Sequence, residues 1–148
     1  MGVIPIVNEN DTVATDELEA LEIGDNDTLS ALVTAMIHGD LLILLSDIDG
    51  MYSDDPKKHP EAVLFHTISD LNESVLGMAK GSSSSVGTGG MQTKLSAAKI
   101  ATEAGADMVI ANGDYVEHIM QIIDGELLGT LFTAHPVAEF HLLDYMRH

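Results

Sequence analysis

Cysteine is absent from this 148-residue chain, which excludes disulfide bonds, zinc–thiolate sites and thiol nucleophiles. Long apolar runs are absent as well, since the longest one, residues 41–45, is far shorter than the roughly 20 residues of a membrane-spanning helix. Residues 1–7 contain no basic side chain and lack the pattern of a signal peptide. From these absences we expect a cytoplasmic protein without a membrane partner.

Basic residues are scarce, with 6 lysines and arginines against 24 acidic residues and a formal net charge of −18. A surface of this sign disfavours DNA, RNA and anionic membranes, because each of them binds to basic surface. If the protein handles phosphate, few side chains can neutralise its charge. The candidates are Lys57, Lys58, Lys80, Lys94, Lys99 and Arg147.

Apolar residues make up 45% of the chain, which is enough for a buried core. Strand and helix patterns alternate along the sequence, and the strands are continuous apolar runs. This predicts an α/β fold, a three-layer αβα sandwich with a mainly parallel sheet, over residues 1–134, and a tail at 135–148. The predicted strands are residues 3–7, 41–45, 62–68, 108–111 and 129–132, and the predicted helices are residues 27–38, 70–79, 91–104 and 116–123.

Polar segments follow three of the predicted strands, at residues 8–11, 46–50 and 112–114. In parallel sheets ligands bind outside the carboxyl ends of the strands, so these segments mark the expected binding edge. The acidic segment 46–50 is compatible with nucleotide contact or with a solvated loop. It does not have the 12-residue spacing of a calcium loop.

Residues 81–90 form a glycine- and serine-rich segment ending in GTGG, and Lys94 lies in or near the first turn of the predicted helix 91–104. Glycines and free N–H groups at a helix start suit a phosphate. A cation near that end opposes the helix dipole, unless an anion binds beside it. The alternative is a flexible loop with an exposed lysine. The segment does not have the P-loop pattern.

Two further polar groups each have a functional and a local structural interpretation. Asp25 and Asp27 precede a predicted helix, where Asp27 is a good N-cap, or the pair could hold magnesium or orient lysines around a transferring phosphoryl group. Asn8 and Asp11 could grip the charged groups of an amino acid, or form an ordinary Asx turn.

Five blocks of the sequence resemble the amino acid kinase family and, within it, the glutamate 5-kinases. The blocks are PIVNENDTVAT (residues 5–15), GDNDTLSALV (24–33), LLSDIDGMYSDDP (44–56), GTGGMQTKLSAAKIA (87–101) and GTLF (129–132). They span nearly the whole chain in the order that the family has. The combination of NEND, GDND and GTGGM-x-TK is specific to glutamate 5-kinases among the kinases that share the fold.

The resemblance implies an enzyme that uses ATP and magnesium to phosphorylate the side-chain carboxylate of glutamate, the first step of proline synthesis. It implies that Lys94 stabilises the transferring phosphoryl group and that Asp27 orients the catalytic lysines; no residue is assigned to a metal. The residues implied to bind glutamate are Asn8, Asp11, Asp25 and Asn26. Those implied to bind ATP are Ser46, Asp47, Thr88, Gly89, Gly90, Met91, Gln92, Thr93 and Lys94.

Family members begin with a strand and a glycine-rich loop that carry a second catalytic lysine, and this sequence has no counterpart of them. We therefore expect the C-terminal, nucleotide-binding portion of a kinase domain, with the N-terminal part missing and no activity by itself. The resemblance further implies a homo-oligomer. Two alternatives stay open: a non-catalytic nucleotide-binding half-domain, and a related kinase that acts on another carboxylate.

Overall fold

A computed structural model describes residues 3–8, 25–81 and 88–145 of the chain. Within these ranges the helices are α1 (Asn26–Met36), α2 (Glu73–Gly81), α3 (Thr88–Ala104), α4 (His118–Ile123) and α5 (Leu142–Tyr145). The strands are β1 (Leu41–Ser46), β2 (Thr67–Ile68), β3 (Asp107–Asn112) and β4 (Thr130–Phe132). None of these helices is long and apolar enough to cross a membrane.

The strands form one sheet in the order β1-β3-β4-β2. β1 runs parallel to β3, with Leu41 opposite Asp107 and Ser46 opposite Asn112. β2 is parallel to β4, whereas β3 and β4 are antiparallel. The prediction of a mainly parallel sheet is confirmed. In the described part of the chain, β1 forms one edge of this sheet and β2 forms the other.

Alternate strand residues face two different helical layers, as the two-residue period of a β-strand requires. Leu42 and Leu44 of β1 belong to the larger core cluster, which they share with residues of α1 and α3. Val109 of β3 faces the opposite side of the sheet, where it packs with Ile122 of α4. The sheet therefore lies between helices, as the predicted three-layer sandwich requires.

α1 and α3 pack closely against each other on the face of the sheet that carries the larger core cluster. Ala31 of α1 and Ala97, Ala98 and Ala101 of α3 are completely buried. Their small side chains allow the two helices to approach, because the distance between packed helices depends on the residues at the contact. Alanine also has the highest helix propensity, so the same residues favour both the helix and its packing.

The segment after β4 crosses the C-terminal end of α3. The amides of His135 and Val137 donate to the carbonyl oxygens of Thr102 and Glu103. The Tyr145 hydroxyl donates to the Glu103 carboxylate, and burial together with this bond raises the pKa of Tyr145 to about 12. As far as residue 145, the segment predicted as a tail is thus attached to the helical layer.

Two of the predicted strands differ from the structure. Residues 3–7 have no regular secondary structure and their side chains are exposed, so the prediction of a buried strand is wrong. An apolar run becomes a strand only where a neighbouring strand supplies hydrogen bonds, and no described strand lies beside it. The predicted strand 62–68 is reduced to Thr67–Ile68 and an isolated bridge between Tyr52 and Leu64.

Gly129, just before β4, is a position where any side chain would clash with neighbouring backbone atoms. Its φ is +72°, and an added Cβ would lie 2.0 Å from the carbonyl oxygen of Ile110. We expect Gly129→Ala to lower the free energy of unfolding by roughly 2–4 kcal/mol, or to prevent folding. Urea unfolding followed by circular dichroism measures this effect.

The matched control is Gly77→Ala in the interior of α2, where an added Cβ would meet nothing within 4 Å. The free energy of unfolding of that variant should rise by about 0.5–1 kcal/mol, because alanine favours a helix more than glycine does. Equal stabilities of the two variants would contradict the steric argument.

Candidate active site

The N-termini of α1 and α3 lie at the same edge of the sheet as the carboxyl ends of β1 and β3. Each helix precedes its strand through a short connection and contacts that strand, so each helix runs back along the sheet. This edge is the place where ligands bind in sheets of parallel strands. It carries most of the predicted site residues.

Asp27 is the centre of a polar cluster at this edge. Its Oδ2 accepts hydrogen bonds from Lys94 Nζ at 3.0 Å and from Thr93 Oγ1 at 2.8 Å. Thr93 Oγ1 also lies 3.0 Å from the carbonyl oxygen of Gly90, in the first turn of α3. The structure thus brings together Asp27 of α1 with Thr93 and Lys94 of α3, all of them predicted site residues.

The ion pair between Lys94 and Asp27 is largely shielded from water, with side chains that are 12% and 22% exposed. Charges in such surroundings interact more strongly than a pair on the surface. An ammonium group has three N–H donors, so Lys94 can stay bonded to Asp27 and still donate to an anionic oxygen. The cluster is therefore suited to holding a phosphoryl group at a fixed place.

Lys94 lies further into its helix than the sequence predicted. α2 ends at Gly81 and α3 begins at Thr88 rather than at residue 91. The predicted loop 81–90 is therefore wrong for residues 81 and 88–90, and residues 82–87 lie outside the described ranges. The glycines suggested a loop through their low helix propensity. Lys94 lies in the second turn, where the helix dipole opposes a cation less, and Asp27 compensates its charge.

Asp25, rather than Asp27, is the N-cap of α1. Its Oδ1 accepts from the backbone N–H of Thr28 at 2.7 Å, and its Oδ2 accepts from the Thr28 hydroxyl at 2.9 Å. The prediction of Asp27 as the cap is wrong because the helix already begins at Asn26. As a result the Asp27 side chain reaches α3 instead of its own backbone.

A second polar cluster joins the loop after β1 to the end of β3. Asn112 Nδ2 donates to Asp49 Oδ1 at 2.8 Å, and the Tyr52 hydroxyl donates to Asp49 Oδ2 at 3.2 Å. Burial, and then the hydrogen bond to Asp49, raises the pKa of Tyr52. The strand-end rule singled out residues 46–50 and 112–114, but it did not identify this pairing.

An open pocket of about 260 Å³ lies against the second cluster. Leu64 and Leu128 supply apolar walls, and His118 lines it with a buried Nδ1 that has no hydrogen-bond partner among the described residues. Apolar walls with a few fixed polar groups are the usual form of a small-molecule site. Sequence reasoning gave no role to Tyr52, although it stands in the block 44–56, and missed His118, which stands in no motif.

Other predicted nucleotide-binding residues lie around the same edge. Ser46 is the last residue of β1, and its hydroxyl lies 3.2 Å from Asp47 Oδ1. Thr88, Gly89 and Gly90 belong to the first turn of α3. Of the next two residues, Met91 packs against the larger core cluster, whereas Gln92 is exposed.

The predicted glutamate-binding residues are described only in part. Asn26 is exposed at the start of α1, and Asn8 is exposed within residues 3–8. Asp11 lies outside the described residues. The structure therefore brings together more of the predicted nucleotide side of the site than of the predicted glutamate side.

Residues 1–112 match the amino acid kinase family. The chain belongs to this family. Over 131 residues it is 54% identical to a glutamate 5-kinase of Clostridium acetobutylicum, a match that covers 88% of this chain and 48% of that protein. Over 134 residues it is 48% identical to a glutamate 5-kinase of Deinococcus radiodurans, covering 90% of this chain and 36% of that protein.

The fold of this amino acid kinase family member is also found in solved structures. Uridylate kinase from Archaeoglobus fulgidus superposes with a TM-score of 0.57 and 28% identity, over 74% of this chain and 47% of that chain. The predicted amino acid kinase fold is confirmed. The chain spans between about a third and a half of the length of the curated relatives it matches.

The capping role of Asp25 can be separated from any role of its charge. Asp25→Ala removes the acceptor for Thr28 and should lower the free energy of unfolding by about 1 kcal/mol. Asp25→Asn loses the charge but keeps an acceptor and should retain most of that stability. Urea titration of both variants checks this, and equal losses would show that the charge, not the cap, matters.

Proposed function

We propose that this chain is the nucleotide-facing part of a glutamate 5-kinase, which transfers the γ-phosphate of ATP to the side-chain carboxylate of glutamate and so starts proline biosynthesis. The observation that carries the proposal is the Asp27–Thr93–Lys94 cluster at the start of α3. Support comes from curated glutamate 5-kinases that are about half identical over most of this chain.

The reaction requires little beyond the positioning of the two substrates and the neutralisation of their negative charge. A carboxylate oxygen of glutamate bonds to the γ-phosphorus, and the bond from that phosphorus to the β–γ bridging oxygen breaks, which leaves ADP and glutamyl 5-phosphate. The attacking carboxylate is already ionised at neutral pH, so no general base is required. Lys94 would offset the charge on the transferring group, and Asp27 would fix the direction of the ammonium.

The remaining roles divide between the two sides of the cluster. On the nucleotide side, Ser46 and Asp47 at the end of β1 and residues 88–93 of α3 would contact ATP, since helix N-termini favour phosphate. On the substrate side, Asn26 and Asp25 at the start of α1 would contact glutamate. Asn8 and Asp11 would bind its ammonium and carboxylate groups.

Magnesium would arrive with the nucleotide rather than occupy a protein cage. In residues 3–8, 25–81 and 88–145, no three His, Cys, Asp or Glu side chains are placed to hold a metal ion. Magnesium in kinases commonly needs only one or two carboxylates beside the substrate phosphates. Asp25 and Asp27 fit that modest requirement, and the ion would supply charge neutralisation across the phosphates.

Lys94 supplies a single positive charge, whereas the proposed reaction brings together two anions, ATP and glutamate. Two other lysines have partners elsewhere: Lys58 pairs with Asp55, and Lys99 pairs with Glu103. We therefore expect little or no turnover from this chain alone. Turnover is expected when the chain is combined with the part of the Clostridium acetobutylicum enzyme outside the shared region.

Glutamate-dependent ADP formation with magnesium, measured on the chain alone and on the combination, tests this expectation. Full activity of the chain alone would show that its site is already complete. Calorimetric binding of ATP without turnover in either preparation would favour the alternative of a non-catalytic nucleotide-binding half-domain.

Lys94→Ala should lower kcat of the combined enzyme by about 100-fold or more, because an electrostatic group aimed at the transferring phosphate is lost. Lys99→Ala is the matched control, since Lys99 lies on the same helix, is 52% exposed and pairs only loosely with Glu103 at 3.9 Å. Its kcat should stay near that of the unmodified chain. Equal losses in the two variants would exclude the proposed role of Lys94.

A further inference from the structure

The hydroxyl group of Thr93 does not bond in the way that is usual for a threonine inside a helix. Thr34 of α1 and Thr102 of α3 each donate to the carbonyl oxygen four residues earlier, at 2.8 and 2.7 Å. Such a bond within the helix is the common local arrangement for this residue type. Thr93 instead reaches across to α1, where its Oγ1 lies 2.8 Å from Asp27 Oδ2. A contact between two helices therefore distinguishes this threonine from the other two.

Two acceptors compete for the single proton of the Thr93 hydroxyl. Its Oγ1 lies 2.8 Å from Asp27 Oδ2 and 3.0 Å from the carbonyl oxygen of Gly90. One O–H group donates one full hydrogen bond. The carboxylate is both nearer and charged, and a hydrogen bond to an ionised acceptor is roughly twice as strong as a neutral one. The proton is therefore directed to Asp27, and the carbonyl oxygen of Gly90 is the weaker acceptor.

The second donor to Asp27 Oδ2 is the ammonium group of Lys94, at 3.0 Å. Thr93 and Lys94 are neighbours in the chain, but their side chains differ in stiffness. A threonine side chain has a single χ angle, which its branched Cβ restricts. A lysine side chain is a flexible four-carbon stem that ends in a compact charge. The hydroxyl group therefore has a nearly fixed position on α3, whereas the ammonium group can occupy many positions.

This difference in stiffness determines which group orients which. The torsion that turns an aspartate carboxylate is broad, so attraction to a flexible ammonium group does not by itself select one orientation. The hydroxyl of Thr93 supplies a rigid donor that fixes the carboxylate of Asp27. The fixed carboxylate then holds the ammonium group of Lys94, in surroundings where the two charged side chains are only 12% and 22% exposed.

We propose that Thr93 is a positioning residue, which acts through Asp27 to hold the ammonium group of Lys94 at one place. The use of that ammonium group in phosphoryl transfer rests on the proposed function, but its positioning can be measured without turnover. The resemblance to glutamate 5-kinases implied that Thr93 binds ATP. Here its hydroxyl has a different task, and the two tasks lead to different effects on ATP affinity and on the reactivity of Lys94.

Acylation of the full chain by acetic anhydride, followed by mass spectrometry, measures how accessible each lysine nitrogen is. Lys99 is the internal reference, because it lies on the same helix and is 52% exposed. In the unmodified chain Lys94 should react more slowly than Lys99. Thr93→Val keeps the branched shape and removes the hydroxyl, so Lys94 should react about fivefold faster once its partner carboxylate can turn. The rate at Lys99 should not change.

Two matched variants separate the hydroxyl from other effects of substitution. Thr93→Ser retains the donor, so the rate at Lys94 should stay within about twofold of that in the unmodified chain. Thr102→Val removes another threonine hydroxyl from α3, one that bonds within the helix, and should leave the rate at Lys94 unchanged. Thr93→Ala gives a further test if circular dichroism shows that Thr93→Val folds poorly.

The combined enzyme gives a second readout. If Thr93 acts through Asp27, Thr93→Val should lower kcat about tenfold, because the ammonium group is no longer held in place. KM for ATP should change by less than about twofold, because the groups that bind the nucleotide remain. Thr93→Ser should recover most of the lost kcat. Direct contact between the hydroxyl and ATP would instead raise KM for ATP in Thr93→Val.

Three results would overturn the proposal: an unchanged rate at Lys94 in Thr93→Val, the same rise in Thr93→Ser, or an equal rise in Thr102→Val. A higher KM for ATP without a change in the reactivity of Lys94 would also overturn it, because the hydroxyl would then serve the nucleotide. If Lys94 responds as expected but no preparation forms glutamyl 5-phosphate, the positioning role stands and the proposed function fails.

Discussion

The distance between Asp27 and Lys94 is set by the packing of α1 on α3 rather than by the two side chains themselves. Completely buried alanines on both helices let the backbones approach, and Leu95, next to Lys94, is buried in the same core cluster as these alanines. A larger residue in this seam would move one helix along or away from the other, because close-packed interiors do not absorb added volume. The polar cluster therefore depends on an apolar surface that has no chemistry of its own.

The second constraint acts on the loop after β1. The Thr130 hydroxyl accepts from the Met51 amide at 2.8 Å and donates to the Phe65 carbonyl at 2.6 Å, so one buried side chain ties two loop segments to β4. This tie holds the loop in which Asp49 meets Asn112. A pocket built on loops needs such anchoring, because a rigid scaffold is what gives loop residues a fixed geometry.

The sequence was informative where its signal was local and periodic. The helix at 27–38 and the strands at 41–45 and 108–111 were predicted to within two residues of their observed bounds, because their apolar residues recur at the right period and face a core. Residues 3–7 show the limit, since their apolar pattern needs a neighbouring strand that the pattern cannot supply. The family motifs selected Lys94, Thr93 and Asp27. The hydrogen bond between Asp49 and Asn112 joins residues far apart in sequence, so neither local sequence segment could predict it.

The charge of the chain bears on how the site can work. In the proposed function, a net charge of −18 would repel ATP at long range, so binding would depend on short-range groups: the N–H groups at the start of α3, magnesium carried by the nucleotide, and Lys94. Lys94 is already paired with Asp27, so the pair has no net positive charge. Its contribution is to orient the ammonium group of Lys94. Further neutralisation has to enter from another side.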